Sequence, residues 1–170
     1  RLGDGPGRDQ QLLRFLDRTA PTAQVVVVRL HGGRASFAAG LDRLVKLADE
    51  HDLFLLCVSG TDELDPELTA LSTADAPTVQ ELFAYLQLGG PHNYEHALRF
   101  LSDHLLTTGH GYDPPAPLPR VGLYHPDLPG TPTLEALRAR HRPEAPTIGL
   151  LFYRAHLLAG NTAFVDALVR

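Results

Sequence analysis

Among its 170 residues the chain has one cysteine, no methionine and no tryptophan. A single thiol excludes an intrachain disulfide framework and fits a reducing compartment. That thiol, Cys57, lies inside the apolar run 53–58, where a free cysteine serves as a small hydrophobe. A catalytic thiolate needs an electropositive, partly exposed setting, which this run does not offer. Long apolar stretches are also missing, and none approaches the ~20 residues that cross a bilayer. Residues 1–7 are followed by no apolar h-region and so do not read as a signal peptide. No methionine opens the chain, and 164–169 reads as a helix still under way at Arg170, so both ends read as cut.

Cations are absent from the middle of the chain. No Lys or Arg occurs between Leu47 and Leu98, whereas Asp49, Glu50, Asp52, Asp62, Glu63 and further carboxylates do, within a net charge of -5. Phosphate backbones demand clustered cations, so nucleic acid is excluded as a partner. The acidic stretch reads first as solvated loops and helix faces, with docking of a basic partner as the sharper alternative. No Walker-type phosphate loop is present, and no G-x-G-x-x-G follows a strand. If ATP is used, another chain binds it.

What is present is an ordinary globular composition, 44% apolar and 21% charged, compatible with one sizeable core or two small ones. The run 24–30, continuously apolar from Val25 to Val28, reads as a strand buried on both faces of a parallel sheet. Gly32 and Gly33 end it. Phe37, Leu41, Leu44, Val45 and Ala48 then mark one face of a helix, and 53–58 is a second buried strand. This is a β-α-β unit. Thr78 and Glu81 have capping-box spacing at the head of the next helix, which Gly89-Gly90 stop and Pro91 keeps from continuing. A further helix starts near His92 or Asn93. The stretch 109–119 has four prolines and two glycines, the composition of a linker or extended crossing. Beyond it a strand is expected at 120–125, a helix with Thr131 as N-cap and Pro132 at N1, and a strand at 147–153. Asn161 is the expected N-cap of the last helix.

Two loops combine the residue types that bind anions and move protons. The first strand ends through Arg29 into His31, Gly32, Gly33 and Arg34; Arg154, His156, Gly160 and Asn161 follow the last. In open parallel sheets ligands bind beyond the carboxyl ends of strands. A guanidinium forks a carboxylate, and an imidazole accepts a proton or binds a metal near neutral pH. The bland alternative is that Arg and His tie up loop carbonyls while the glycines turn the chain. A third pattern, His92-Asn93-Tyr94-Glu95-His96, matches the H-x-x-E-H of inverted zinc peptidases. Pro91 puts His92 at a helix start rather than inside one, and no third ligand can be named. Capping by His92 or Asn93 and an exposed His96 is the expectation there. Asp113 and the pair Asp62-Glu63 read as turn and cap residues.

With these residues in view, the chain resembles the large subunit of cobaltochelatase, the CobN family, which is related to the large subunit of magnesium chelatase. The resemblance is carried in order by Val28-Arg29-Leu30-His31-Gly32-Gly33-Arg34, Asp65-Pro66-Glu67-Leu68 with Leu71-Ser72-Thr73, and Gly89-Gly90-Pro91-His92-Asn93. It continues through Tyr153-Arg154-Ala155-His156-Leu157 and Ala159-Gly160-Asn161-Thr162. His31 stands where the family pattern has an aliphatic residue, which argues against a catalytic role for it. The resemblance implies an N-terminal piece of a much longer cytoplasmic enzyme that inserts Co²⁺ into hydrogenobyrinic acid a,c-diamide during cobalamin biosynthesis. It implies ATP and Mg²⁺ used on two smaller partners, an AAA+ ATPase subunit and a second small subunit. The alternatives are a non-catalytic docking module of such a complex, or a magnesium chelatase subunit acting on a porphyrin.

The expected fold is α/β, with open, mostly parallel, Rossmann-like sheets flanked by helices and incomplete within this chain. An N-terminal α/β domain is expected over 1–108, a Pro/Gly-rich linker over 109–119, and the start of a second α/β domain over 120–170. Also expected is a missing neighbour for one strand, because the chain begins after the first strand of the family's N-terminal domain. The candidate site residues are His156 as base or transient ligand, Arg154 as anion contact and Asn161 to orient the loop. Arg29 and Arg34 are further substrate contacts. No resident metal or cofactor is assigned to the chain, and no membrane contact is expected.

Overall fold

The computed structural model describes residues 8–170, so residues 1–7 and the reading of them against a signal peptide lie outside the described residues. The chain runs α1 (Arg8–Thr19), β1 (Val25–Leu30), α2 (Ala38–His51), β2 (Phe54–Ser59), α3 (Pro66–Thr69), α4 (Ala76–Leu88), α5 (Pro91–Leu106), α6 (Leu134–Arg138), α7 (Arg154–Leu158) and α8 (Ala163–Val169), with 3₁₀ turns before β1 and α2. No helix is long and apolar enough to cross a membrane among the described residues.

β1 and β2 pair in parallel, Val25 opposite Phe54 through Leu30 opposite Ser59, with α2 as the crossover. The fold is α/β, as expected. β2 is the buried centre, and its alternating side chains feed two cores. Leu55 and Cys57 meet Leu41, Leu44 and Leu47 of α2, while Leu56 and Val58 meet Val79, Leu82 and Tyr85 of α4 and Ala97, Phe100 and Leu101 of α5. β1 is only half-buried, and Val27 and Arg29 are exposed. The expectation of burial on both faces holds for β2 and not for β1, whose outer edge pairs with no strand among the described residues.

The far edge of β2 is closed by side chains. Leu55 N–H donates to Thr73 Oγ1 at 2.8 Å, Cys57 N–H to Ser72 Oγ at 2.9 Å, and Thr73 N–H returns to the Leu55 carbonyl at 2.8 Å. Two hydroxyls thereby substitute for a neighbouring strand, satisfying donors that burial would otherwise orphan. Asp65 caps α3, its Oδ1 accepting from the Glu67 and Leu68 amides, with Pro66 at the first helical position.

Several ends differ from the sequence expectation. α4 is capped by Asp75, whose Oδ1 accepts Thr78 N–H at 2.9 Å; Thr78 is inside the first turn, so the Thr78–Glu81 box does not form. α6 is capped by Thr133 rather than Thr131, its Oγ1 accepting Ala136 N–H. α8 begins at Ala163 with Thr162 in the cap position, displacing Asn161. The expected strands 120–125 and 147–153 do not form. Their apolar side chains find no sheet to join: Val121 is 90% exposed, Ile148 89% and Leu151 97%. Apolar β-branched runs supply strand propensity, but a strand exists only where a partner accepts its hydrogen bonds.

Candidate functional site: a strapped proline segment and the loop that meets it

Residues 109–119 are an extended crossing fastened to α4 and α5 by a succession of side chains. Asp103 accepts from the Thr108 hydroxyl and from the His110 and Gly111 amides, each at 2.7 Å. The Thr108 hydroxyl first, and then these amides, hold the Asp103 carboxyl below the usual carboxylate range. Asp113 donates its amide to His96 Nδ1 at 2.7 Å, and its carbonyl accepts the Tyr85 hydroxyl. Burial pushes the Tyr85 phenol up to about 12, so it remains a donor there. Asn93, 2% exposed, pairs with both polar groups of Ala116 and also donates to the Gly89 carbonyl at 2.7 Å. Prolines leave few amides for a ladder, and these side chains take those of His110, Gly111, Asp113 and Ala116 one by one.

The strap ends at the α7 loop. Arg154 donates from Nε to the Pro119 carbonyl and from Nη2 to the Leu118 carbonyl, both at 2.9 Å. The α4–α5 turn meets the same loop, Gly90 N–H donating to the Leu158 carbonyl at 2.9 Å. Gly89 and Gly90 have φ of 64° and 89°, and a Cβ on Gly90 would stand 2.6 Å from Leu118 Cδ1. Only glycine fits where turn, strap and α7 converge.

Arg154, His156 and Asn161 are brought together: α7 carries the first two, and Asn161 N–H donates to the His156 carbonyl at 2.8 Å. The His156 ring packs edge-on against Phe164, with centroids 4.9 Å apart. Two of the three Arg154 nitrogens are spent on carbonyls. Arg29 and Arg34 lie elsewhere. Arg29 is exposed on β1, and Arg34 pairs with Asp42 at 2.9 Å and Glu67 at 3.7 Å. His31 covers Gly60, where a Cβ would stand 2.7 Å from the ring. No hydrogen bond or ion pair joins the two loops among the described residues.

Beside α7 is a cavity of about 720 Å³ lined by Arg120, Arg140, Arg142, Arg154, His125 and His141 among apolar groups, with no carboxylate in its wall. Arg140 is engaged by Asp127 at 2.9 Å. Arg120 and Arg142 have no ion-pair partner among the described residues. The sequence reading missed this cationic wall, because its members are scattered over 120–154 and share no spacing. A second cavity of about 640 Å³ separates the α5 start, the strap and residues 124–131.

The H-x-x-E-H residues take an arrangement of their own. His92 and His96 stand one turn apart on α5, ring centroids 4.2 Å apart, and Asp113 of the strap joins them. Glu95 turns to Arg99 at 2.7 Å instead. A peptidase base would have to face the metal, so this is not a zinc peptidase centre. His96 is half-buried and bonded to the strap, correcting the expectation that it is exposed. Asn93 is a buried bridge rather than a cap.

Residues 83–170 match the family described as CobN/Magnesium Chelatase. Over 89% of the chain the sequence is 38% identical to the aerobic cobaltochelatase subunit CobN of Pseudomonas aeruginosa, of which that stretch is 12%. Over 91% of the chain it is 33% identical to the same subunit of a Sinorhizobium species, covering 13% of it. The fold is similar to the catalytic subunit of cobaltochelatase from Mycobacterium tuberculosis, with a TM-score of 0.69 and 36% identity over 99% of this chain and 12% of that one. The chain thus spans about an eighth of the length of these relatives. With its ordered motifs, its parallel β-α-β core and these likenesses, the chain belongs to the CobN/magnesium chelatase family.

Proposed function

We propose that the chain is part of the large, ring-binding subunit of an aerobic-type cobaltochelatase, which inserts Co²⁺ into hydrogenobyrinic acid a,c-diamide in the cytoplasm. The observation that carries this reading is the 38% identity to a CobN subunit over 89% of the chain. In this reading ATP and Mg²⁺ act on an AAA+ motor subunit and a second small partner, consistent with a chain that has no phosphate loop of its own. Residues 109–119 separate an N-terminal α/β unit from the opening of a second one at 120–170.

Insertion requires the corrin ring to be held by its carboxylates and to lose its inner N–H proton, and requires the metal to shed water. The carboxylate-free wall of Arg120, Arg142 and His125 suits the peripheral carboxylates. Arg154 then acts chiefly as a positioning residue, tying the strap to α7, with its remaining nitrogen as the anion contact. His156 is the candidate base or transient ligand, and Asn161 orients its loop. Arg29 and Arg34 are secondary candidates for substrate contact, Arg34 being already ion-paired. Alanine at Arg154 or His156 in the full-length subunit tests the assignment. Slower ATP-dependent cobalt insertion is expected, and wild-type rates in both variants overturn it.

A second reading, a docking module of the chelatase complex, is favoured by the cation-free stretch between Leu47 and Leu98. Titration of the chain with the corrin precursor separates the two. Unchanged ring absorption and fluorescence favour docking.

A further inference from the structure

We infer that His92, His96 and Asp113 form a weak, exchangeable binding site for a late first-row divalent cation such as Co²⁺. One ligand atom from each residue lies within 4.8 Å of the others. Asp113 Oδ2 is 3.9 Å from His92 Nε2 and 3.5 Å from His96 Nε2. Donors about 2.1 Å from a common ion stand roughly 3.0 to 3.4 Å apart, so the two carboxylate–imidazole pairs close by less than about 1 Å, and side-chain rotation at the exposed residues brings in the rest. His92 and Asp113 are exposed, free to make that adjustment and open to water for the other coordination positions. Two imidazoles and one carboxylate favour Co²⁺, Ni²⁺, Cu²⁺ or Zn²⁺ over Mg²⁺ or Ca²⁺.

The same geometry keeps the site weak. Asp113 N–H donates to His96 Nδ1, so the neutral ring carries its proton on Nε2, the atom that faces the carboxylate. Loading the ion moves that proton: Nε2 releases one to solvent and Nδ1 takes one up, with no net change. The Asp113 amide then faces a donor and its hydrogen bond breaks. The start of α5 also opposes a cation at His92, and the Asp113 charge offsets this. Cation binding is therefore linked to release of the strap at Asp113, while the Asn93–Ala116 pair and the Tyr85 bond continue to hold it. At a structural metal site the group behind a ligating imidazole accepts from its Nδ1–H; here the Asp113 amide donates to Nδ1 instead, as suits an exchangeable site.

The inference stands apart from the chelatase reading, since it concerns the ion alone and no ring or partner enters its test. Titrating the 170-residue chain with CoCl₂, followed by visible d–d absorption and calorimetry, should show one saturable site. Binding is expected to be lost in His92→Ala and His96→Ala, weakened in Asp113→Asn and unchanged in Glu95→Gln. Amide exchange at Asp113 should quicken on Co²⁺ addition. His92→Ala leaves the strap bond to His96 intact, so its loss of binding is separable from any folding defect. No saturable Co²⁺ binding by the folded chain, or undiminished binding by His92→Ala, overturns the site.

Discussion

Asn93 and Ala116 form a two-way pair across the fold: Asn93 Oδ1 accepts the Ala116 amide at 2.9 Å, and Nδ2 donates to its carbonyl at 2.8 Å. One buried amide side chain thus gives the proline segment the two bonds that a strand would have given it. Because Nδ2 also donates to the Gly89 carbonyl, the pair couples the α4–α5 turn to the strap. Asn93→Ala leaves three backbone groups without partners, at on the order of 1 kcal/mol or more each. A loss of about 3 kcal/mol in urea unfolding is expected. A loss under about 1 kcal/mol means that water replaces the side chain there.

Gly90→Ala meets two penalties at once, a left-handed backbone and Leu118 at 2.6 Å from the new Cβ. A destabilisation of about 1–3 kcal/mol is expected. Combining it with Leu118→Ala removes the steric part and leaves the backbone part, which a double-mutant cycle measures.

Burial pushes the Cys57 thiol up to about 11 from an ordinary 9. The folded form therefore favours the protonated thiol. Stability from this group is fully present below about pH 8.5, the unfolded thiol's range, and is lost as pH rises through the folded value. A fall of at most about 3 kcal/mol is expected over that alkaline window, and Cys57→Ala should flatten it. Alkylation of native Cys57 at pH 8 should track unfolding. Fast labelling of the folded protein contradicts the burial.

Arg154→Lys keeps the charge but not the fork that spans the Leu118 and Pro119 carbonyls. The strap end should loosen, so limited proteolysis near 118–121 should quicken several-fold. Cleavage equal to that of the native chain would mean that the two carbonyls do not depend on this guanidinium.

The β-α-β core was legible because burial writes itself into continuous apolar runs, and Leu55 to Val58 are buried on both faces. The expectation was too strong for 120–125 and 147–153, where the same kind of run has no partner strand. The helix caps slipped by one to three positions, because Asp75 and Thr133 compete with neighbours of equal capping ability. What no spacing reveals is contact across distance. Asp113 reaches His96 over 17 residues and Ala116 reaches Asn93 over 23. The Arg154–His156–Asn161 grouping was visible as a motif. The fold added that two of the Arg154 nitrogens are committed to the strap, which moves the free cations to Arg120 and Arg142.

The most direct test of the account is metal insertion by the full-length subunit with its two partners and ATP. Co²⁺ with hydrogenobyrinic acid a,c-diamide is set against Mg²⁺ with a porphyrin. The account predicts ATP-dependent appearance of the cobalt corrinoid and no magnesium porphyrin; magnesium insertion without cobalt insertion contradicts it.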